Sequence, residues 1–277
     1  MDHLSDLRFD IGELTPSSIT AMSLGCFKHL RYLDISTDIK MLCMLFNTWH
    51  PPALVSVKIW IPVPTDLVFT TTEWYHIRDG IERLVTIAGQ TLRVFLFDVL
   101  SMIHIHDSEL RIPHLIGMFR PLTRVRLLEE CAFNWYHPFN ITDKDITDFA
   151  NAWPQLRRIA IQQHDGHGEY LVSAHPTIQA LVELATKYSK LRYICLDFTL
   201  VDLPPLDTLP RTKLSLESVQ FDHCELRDVE HIKRLAATLH HLFPLIQVSN
   251  YIDLPKKSVR LLQKNEMEES GNGSVGT

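Results

Sequence analysis

The sequence predicts an α/β solenoid of about eight to nine irregular units, with a curved parallel sheet on one face and helices on the other. Three observations carry that prediction. A frame of the form L-x-x-φ-x-φ, with φ apolar, returns eight times and a ninth time in degenerate form. Its leading leucines lie 24 to 38 residues apart, about 30 on average. Four frames are preceded by a segment with the apolar spacing of an amphipathic helix. One helix and one short strand cannot bury their apolar faces alone, so units of this kind stack on their neighbours.

In chain order, the strand frames begin with Leu4/Leu7/Phe9, Leu30/Leu33/Ile35 and Leu54/Val57/Ile59. Before the next frame, Leu92/Phe95/Phe97, the residues Ile77, Ile81, Leu84, Val85 and Ala88 make a helical stripe, closed by Gly89 as a C-terminal cap. Leu122/Val125/Leu127 is read as the fifth strand. In "ITDKDITDFANAWPQLRRIAI", Ile146, Phe149, Ala150 and Trp153 form a stripe, Pro154 stops it, and Leu156/Ile159/Ile161 follows as a strand. Pro176 suits a first helical turn ahead of Ile178, Leu181, Val182, Ala185 and Tyr188, and the strand Leu191/Ile194/Leu196 comes next. After Leu216/Val219/Phe221, Asp228 is an N-cap for Val229, Ile232, Leu235, Ala236 and Leu239, with Glu230 and Arg234 as an i, i+4 pair and Pro244 as a stop. The degenerate frame Leu245/Val248 closes the series.

The average spacing lies near the upper part of the range of leucine-rich repeats. The fuller pattern L-x-x-L-x-L-x-x-[NC] is met only from Leu216 to Cys224. Other strand exits carry Gly12, Asp38, Pro62, Leu100, Glu130, His164 and Thr199, which predicts uneven curvature and inserted loops. The repeat region is read as residues 1–255, and residues 256–277, charged and then rich in Gly and Ser, as a polar disordered tail.

Composition narrows the function classes. A chain of 277 residues with 45% apolar and 22% charged residues belongs among soluble globular proteins. Its net charge of -6 lacks the basic footprint that nucleic-acid phosphates require. No apolar run is long enough for a membrane span, and the acidic start "MDHLSDLRFD" is unlike a signal peptide, so the expected location is cytoplasmic or nuclear. Five cysteines, at 26, 43, 131, 195 and 224, form no C-x-x-C pair and suit reduced thiols.

The segments "ITDKDITDFANAWPQLRRIAI", "HPTIQALVELATKYSKLRYICLDF" and "VEHIKRLAATLHHLFPLIQV" resemble the leucine-rich-repeat portion of fungal F-box proteins, especially the irregular group of mushroom-forming fungi. The likeness covers about residues 20 to 250 and is most specific from Ile141 onward. It implies a substrate-binding arm of a ubiquitin ligase receptor, joined to a Skp-type adaptor and cullin through a separate F-box. "MDHLSDLRFDIGELTPSSIT" contains no L-P-x-E-[IL]-L motif, so adaptor and cullin are expected only if an upstream F-box exists. The apolar Leu4, Leu7 and Phe9 at a solenoid end without a polar cap favour truncation over loss of that docking half.

No catalytic constellation emerges, and the chain is read as non-catalytic and cofactor-free. It has no G-x-S-x-G elbow, no G-x-x-x-x-G-K-[ST] loop and no G-x-G-x-x-G. His104 and His106 in "HIHDSE", and His164 and His167 in "HDGHGEY", are the only features pointing to a metal-dependent hydrolase. Polar loops after strands explain both more simply, since no further ligand is spaced to complete either set. Cys195 is expected on the inner sheet face, as an inert small residue rather than a reactive thiol.

The inner face is the expected working surface. Residues between the apolar frame positions point away from the helices. They include Arg31, Tyr32, Asp34, Lys58, Trp60 and Arg93, then Arg124, Arg126, Arg157, Arg158, Arg192 and Tyr193, with Glu217, Gln220 and Asp222 at the end. Arg93, Arg124, Arg126, Arg157, Arg158, Arg192 and Tyr193 are the candidate partner-binding residues. Arg and Tyr are enriched at binding hot spots, and the Arg fork suits an acidic or phosphorylated protein segment. A habitual solvent-facing Arg in the second frame position would explain the same band. A freestanding scaffold or inhibitor-like binder is the alternative to a ligase arm.

Overall fold

A computed structural model describes residues 4–10, 27–62, 71–100, 114–135, 139–163, 174–196, 198, 203–221, 228–246 and 252–253. The fold is α/β around a single parallel sheet of nine strands, in which each strand lies beside the one that precedes it in sequence. The strands are β1 (Asp6–Asp10), β2 (Tyr32–Ser36), β3 (Ser56–Pro62), β4 (Val94–Leu100), β5 (Glu130–Trp135), β6 (Arg158–Gln163), β7 (Tyr193–Leu196), β8 (Ser218–Gln220) and β9 (Ile252–Asp253). Helix α1 (Ile39–Thr48) joins β2 to β3, and α2 (Thr71–Ala88) joins β3 to β4. The short α3 (Leu115–Phe119) runs into a 3-10 turn, Arg120–Arg124, before β5. Helices α4 (Asp143–Ala152), α5 (Ile178–Lys187) and α6 (Val229–Leu242) precede β6, β7 and β9.

Register ties the strands into rows. Leu7, Leu33, Val57, Phe95, Cys131, Ile159, Ile194 and Val219 are successive partners across β1 to β8. Because side chains alternate along a strand, one shared register puts this whole row on one face. There the row joins the main core with the buried residues of the helices, among them Leu42, Ile81, Phe149, Leu181 and Leu239. A ladder fixes the register where strands start. The carbonyl of Ser5 accepts the N–H groups of both Arg31 and Tyr32, and Arg31, Val55, Arg93, Glu129, Arg157 and Arg192 each accept two N–H groups from the following strand in the same way.

Six expected strand frames, those led by Leu4, Leu30, Leu54, Leu92, Leu156 and Leu191, coincide with β1 to β4, β6 and β7, and the Leu216 frame with β8. Two are corrected. Residues 122–127 are not a strand: Arg120–Arg124 is a 3-10 turn with Pro121 at its start, and Leu127 is 39% exposed. The true frame is Leu128/Cys131/Phe133, six residues later and fully buried. The Leu245 frame departs at its first position, since Leu245 is exposed; its Val248 lies outside the described residues, and β9 pairs through Ile252 with Val219.

Local signals account for the helices. Thr142 and Asp145 form a complete capping box at α4. Asp228 caps α6 by accepting the His231 N–H at 2.7 Å. Thr177 is the N-cap of α5, so Pro176 lies just outside the first turn rather than within it. Helix α1, absent from the sequence expectation, starts at Asp38, which accepts the Met41 N–H at 2.8 Å. Gly80 lets α1 approach α2, since a Cβ there would meet the Leu42 side chain at 3.3 Å. Phe119 on α3 seats itself among Phe95, Phe97 and Phe133, with ring centroids 6.2, 5.2 and 4.2 Å away, which places this short helix over β4 and β5.

Cys43, Cys131 and Cys195 are free and buried; Cys26 and Cys224 lie outside the described residues. So do the tail and the four histidines of the metal reading, His104, His106, His164 and His167. Among the described residues, no helix is long and apolar enough to cross a membrane.

Candidate functional site

The second face of the sheet is the candidate site. Among the described residues, no helix contributes to its packing: its buried cluster consists of strand residues Ala132, Ala160 and Cys195, with Leu96 and Tyr193 against them. Register again sets the layout. Tyr32, Ser56, Val94, Glu130, Arg158, Tyr193 and Ser218 form one row, and Asp34, Lys58, Leu96, Ala132, Ala160, Cys195 and Gln220 form the next.

Side chains on this face bind sideways, strand to strand. The Trp60 indole N–H donates to Asp34 Oδ1 at 2.6 Å, and Arg8 Nε sits 3.5 Å from Asp34 Oδ2. The Asn134 amide donates to Asp98. The Arg158 guanidinium lies 4.6 Å above the Tyr193 ring, whose hydroxyl donates to Gln220 at 2.9 Å. These links hold large side chains in fixed positions, and side chains ordered in advance lower the entropic cost of any contact made through them.

Exposure is uneven across the face. Ala132, Ala160 and Cys195 are 4%, 2% and 1% exposed, so the middle is a sealed floor and Cys195 is inaccessible as a nucleophile. Toward β1 to β3 the face opens: Tyr32 is 47% exposed, Arg31 is exposed, and Lys58 makes no ion pair with a described residue. Tyr, Trp and Arg are the side chains that most often dominate binding energy. The sequence reading placed Arg31, Tyr32, Lys58 and Trp60 on this face but gave the site to the arginines further along.

Those arginines divide into three groups. Arg158 and Tyr193 stand on the open face, in one row. Arg93, Arg157 and Arg192 line the edge where strands start, in the positions whose backbones carry the ladder. There, Glu129 pairs with both Arg93 and Arg157, the latter at 3.4 Å, and Arg192 meets Glu217 at 2.6 Å. Arg124 and Arg126 are not on the sheet. Arg124 belongs to the 3-10 turn and pairs with Glu82 of α2 at 2.6 Å. Arg126 donates to the carbonyls of Asn151 and Ala152 at 3.0 and 3.3 Å, capping the C-terminal end of α4. Their expected place on the inner face rested on the Leu122 strand frame, and both expectations fall together.

The band is therefore partly neutralised by its own glutamates. Pairs whose arginine is half exposed contribute little, about 0–1 kcal/mol, so Glu129 and Glu217 hold these arginines only weakly. No set of three or more His, Cys, Asp or Glu side chains among the described residues is arranged to hold a metal ion. Burial pushes the thiol of Cys131 and the phenol of Tyr188 up, which keeps both neutral and structural. Compared with protein-family models and with curated proteins, the chain matches none of them.

Proposed function

We propose that the chain is a non-catalytic recognition module of leucine-rich-repeat type, and that the helix-free sheet face is where a partner protein docks. The observation that supports this reading most is the row containing Tyr32, Arg158 and Tyr193, with Trp60 and Lys58 beside it, on a face that no described helix covers. Rigid aromatic and arginine side chains held by lateral bonds are the physical profile of a binding surface. The helix-then-strand unit and the quoted segments favour a substrate-binding arm of an F-box-type ubiquitin ligase receptor. A freestanding scaffold would use the same face in the same way.

The test is affinity purification of the tagged chain, and of any longer native transcript, from its own cells, beside an open-face variant carrying Tyr32→Ala and Arg158→Glu. Under this reading, partner proteins that copurify with the wild type are lost with the variant. Recovery of a Skp-type adaptor and cullin with the longer form alone assigns the ligase role. Their absence from both forms leaves the scaffold. Equal recovery by wild type and variant removes the open face from the account.

A further inference from the structure

A cleft of about 350 Å³ lies away from the open face, where the C-terminal end of α5 meets the extended segment that leads into β8. Ala185 to Ser189 line one wall and Arg211 to Leu214 the other. Three of these residues are cations: Lys187, Arg211 and Lys213. Lys187 is already engaged, at 2.9 Å from Glu183 and 3.0 Å from the Asn151 side chain. Arg211 and Lys213 are exposed, and neither side chain makes a hydrogen bond or ion pair with a described residue.

Backbone donors lie along the same wall. The N–H groups of Arg211, Thr212, Lys213 and Leu214 donate to no backbone carbonyl among the described residues. The last carbonyls of α5 carry about half a negative charge, and Lys187 stands in that last turn. Two cations with no ion-pair partner among the described residues stand on the opposite wall. A planar Arg fork, a Lys point charge and backbone N–H groups on one short segment are the donor set that a tetrahedral dianion uses.

We infer that this cleft is an oxyanion site for a phosphate group, with Arg211 and Lys213 as its charged ligands and the 211–214 backbone as its neutral ones. The volume falls at the lower end of the range for small-molecule sites, leaving room for the atoms that carry the phosphate. The site is separate from the open face, so it stands or falls independently of partner docking there.

Thermal melting of the full chain tests it, with inorganic phosphate, a blocked O-phosphoserine or the matching blocked serine added, and ionic strength held constant with chloride. The expected result is a saturable rise in Tm, on the order of 3 °C at tenfold excess over Kd, with phosphate and phosphoserine and none with serine. Arg211→Gln with Lys213→Gln is expected to abolish the rise while leaving the ligand-free Tm in place, whereas Arg31→Gln with Lys58→Gln leaves the rise intact. Tighter binding of phosphoserine than of inorganic phosphate assigns a phosphorylated side chain as the source, and equal binding assigns free phosphate. The same rise in the Arg211/Lys213 variant as in the wild type, or no rise beyond the chloride control, overturns the site. Because no partner protein enters the assay, that outcome leaves the docking reading of the open face untouched.

Discussion

Trp60 on β3 and Asp34 on β2 are joined by an indole N–H donated to a carboxylate oxygen at 2.6 Å, and the second oxygen of Asp34 faces Arg8 on β1 at 3.5 Å. Three strands are thus linked through one side chain on the helix-free face. The carboxylate holds the Trp60 indole in a fixed orientation on the face that also carries Lys58 and Tyr32.

Asp34→Ala is expected to destabilise the chain by about 1 kcal/mol, the net contribution of a typical hydrogen bond, because the pair is partly solvated. Asp34→Asn keeps an acceptor for the indole but loses the charge facing Arg8, and an exposed ion pair adds little. Its cost is therefore expected to be smaller. Urea midpoints at unchanged m-value measure both. Equal losses for Ala and Asn would assign the effect to the charge alone.

The corrected fifth strand gives a sharp contrast between neighbours. Leu128 is fully buried at the head of its frame, whereas Leu127 is 39% exposed. Leu128→Ala is expected to cost about 2–5 kcal/mol, through lost burial and the cavity left behind. Leu127→Ala is expected to stay within about 1 kcal/mol. The order would reverse if residues 122–127 formed the strand, and chemical denaturation of the two variants decides it.

Much of this architecture was legible because the pairs Val57/Ile59, Phe95/Phe97, Ile159/Ile161 and Ile194/Leu196 each follow a leading leucine at the same spacing, and a side-chain period of two leaves little choice of face. The fifth frame was misread because Leu122 and Val125 satisfy the same spacing while serving a buried 3-10 turn. Cys131, an apolar residue in that context, disguised the true frame. Helix α1 was missed for the opposite reason: Ile39, Met41, Leu42, Cys43, Leu45 and Phe46 are all buried, so little polar contrast marks a helical period. Its Asp38 cap was the available signal. The pairing of Arg93 and Arg157 by Glu129 depends on the register of three strands, and Glu129 stands 36 residues from Arg93. No local pattern shows such a contact.

Buried thiols give the protein an alkaline limit. Burial raises the Cys131 thiol well above its ordinary value of 9.0, and burial reinforced by the Asp79 carboxylate raises Cys43 to about 11. In each case the native state keeps its proton after the unfolded chain has lost it. The associated stability is complete below pH 9 and falls as pH rises through the native values. Each such group steepens the loss by up to about 1.4 kcal/mol per pH unit. Urea unfolding at pH 8, 9 and 10 is expected to show this decline, and Cys131→Ala to flatten it. A decline equally steep in the variant would place its origin elsewhere.

The three groups of arginines predict three different outcomes on binding. Arg158 stands on the open face over the Tyr193 ring, so under the proposed docking Arg158→Glu removes both a contact and the support of a neighbouring aromatic. A loss of about 30-fold in partner affinity is expected, the size of a hot spot near 2 kcal/mol. Arg157 shares Glu129 with Arg93 at the sheet edge, and its reversal is expected to weaken binding less, since part of its charge is already answered within the chain. Arg124→Glu changes the helix side, where the present partner is Glu82, and is expected to leave partner affinity unchanged while lowering stability by up to about 1 kcal/mol through repulsion. Titration of the purified variants against the partner recovered with the wild type reads all three. A ranking in which Arg124 matters as much as Arg158 would move the interface off the sheet and onto the helices.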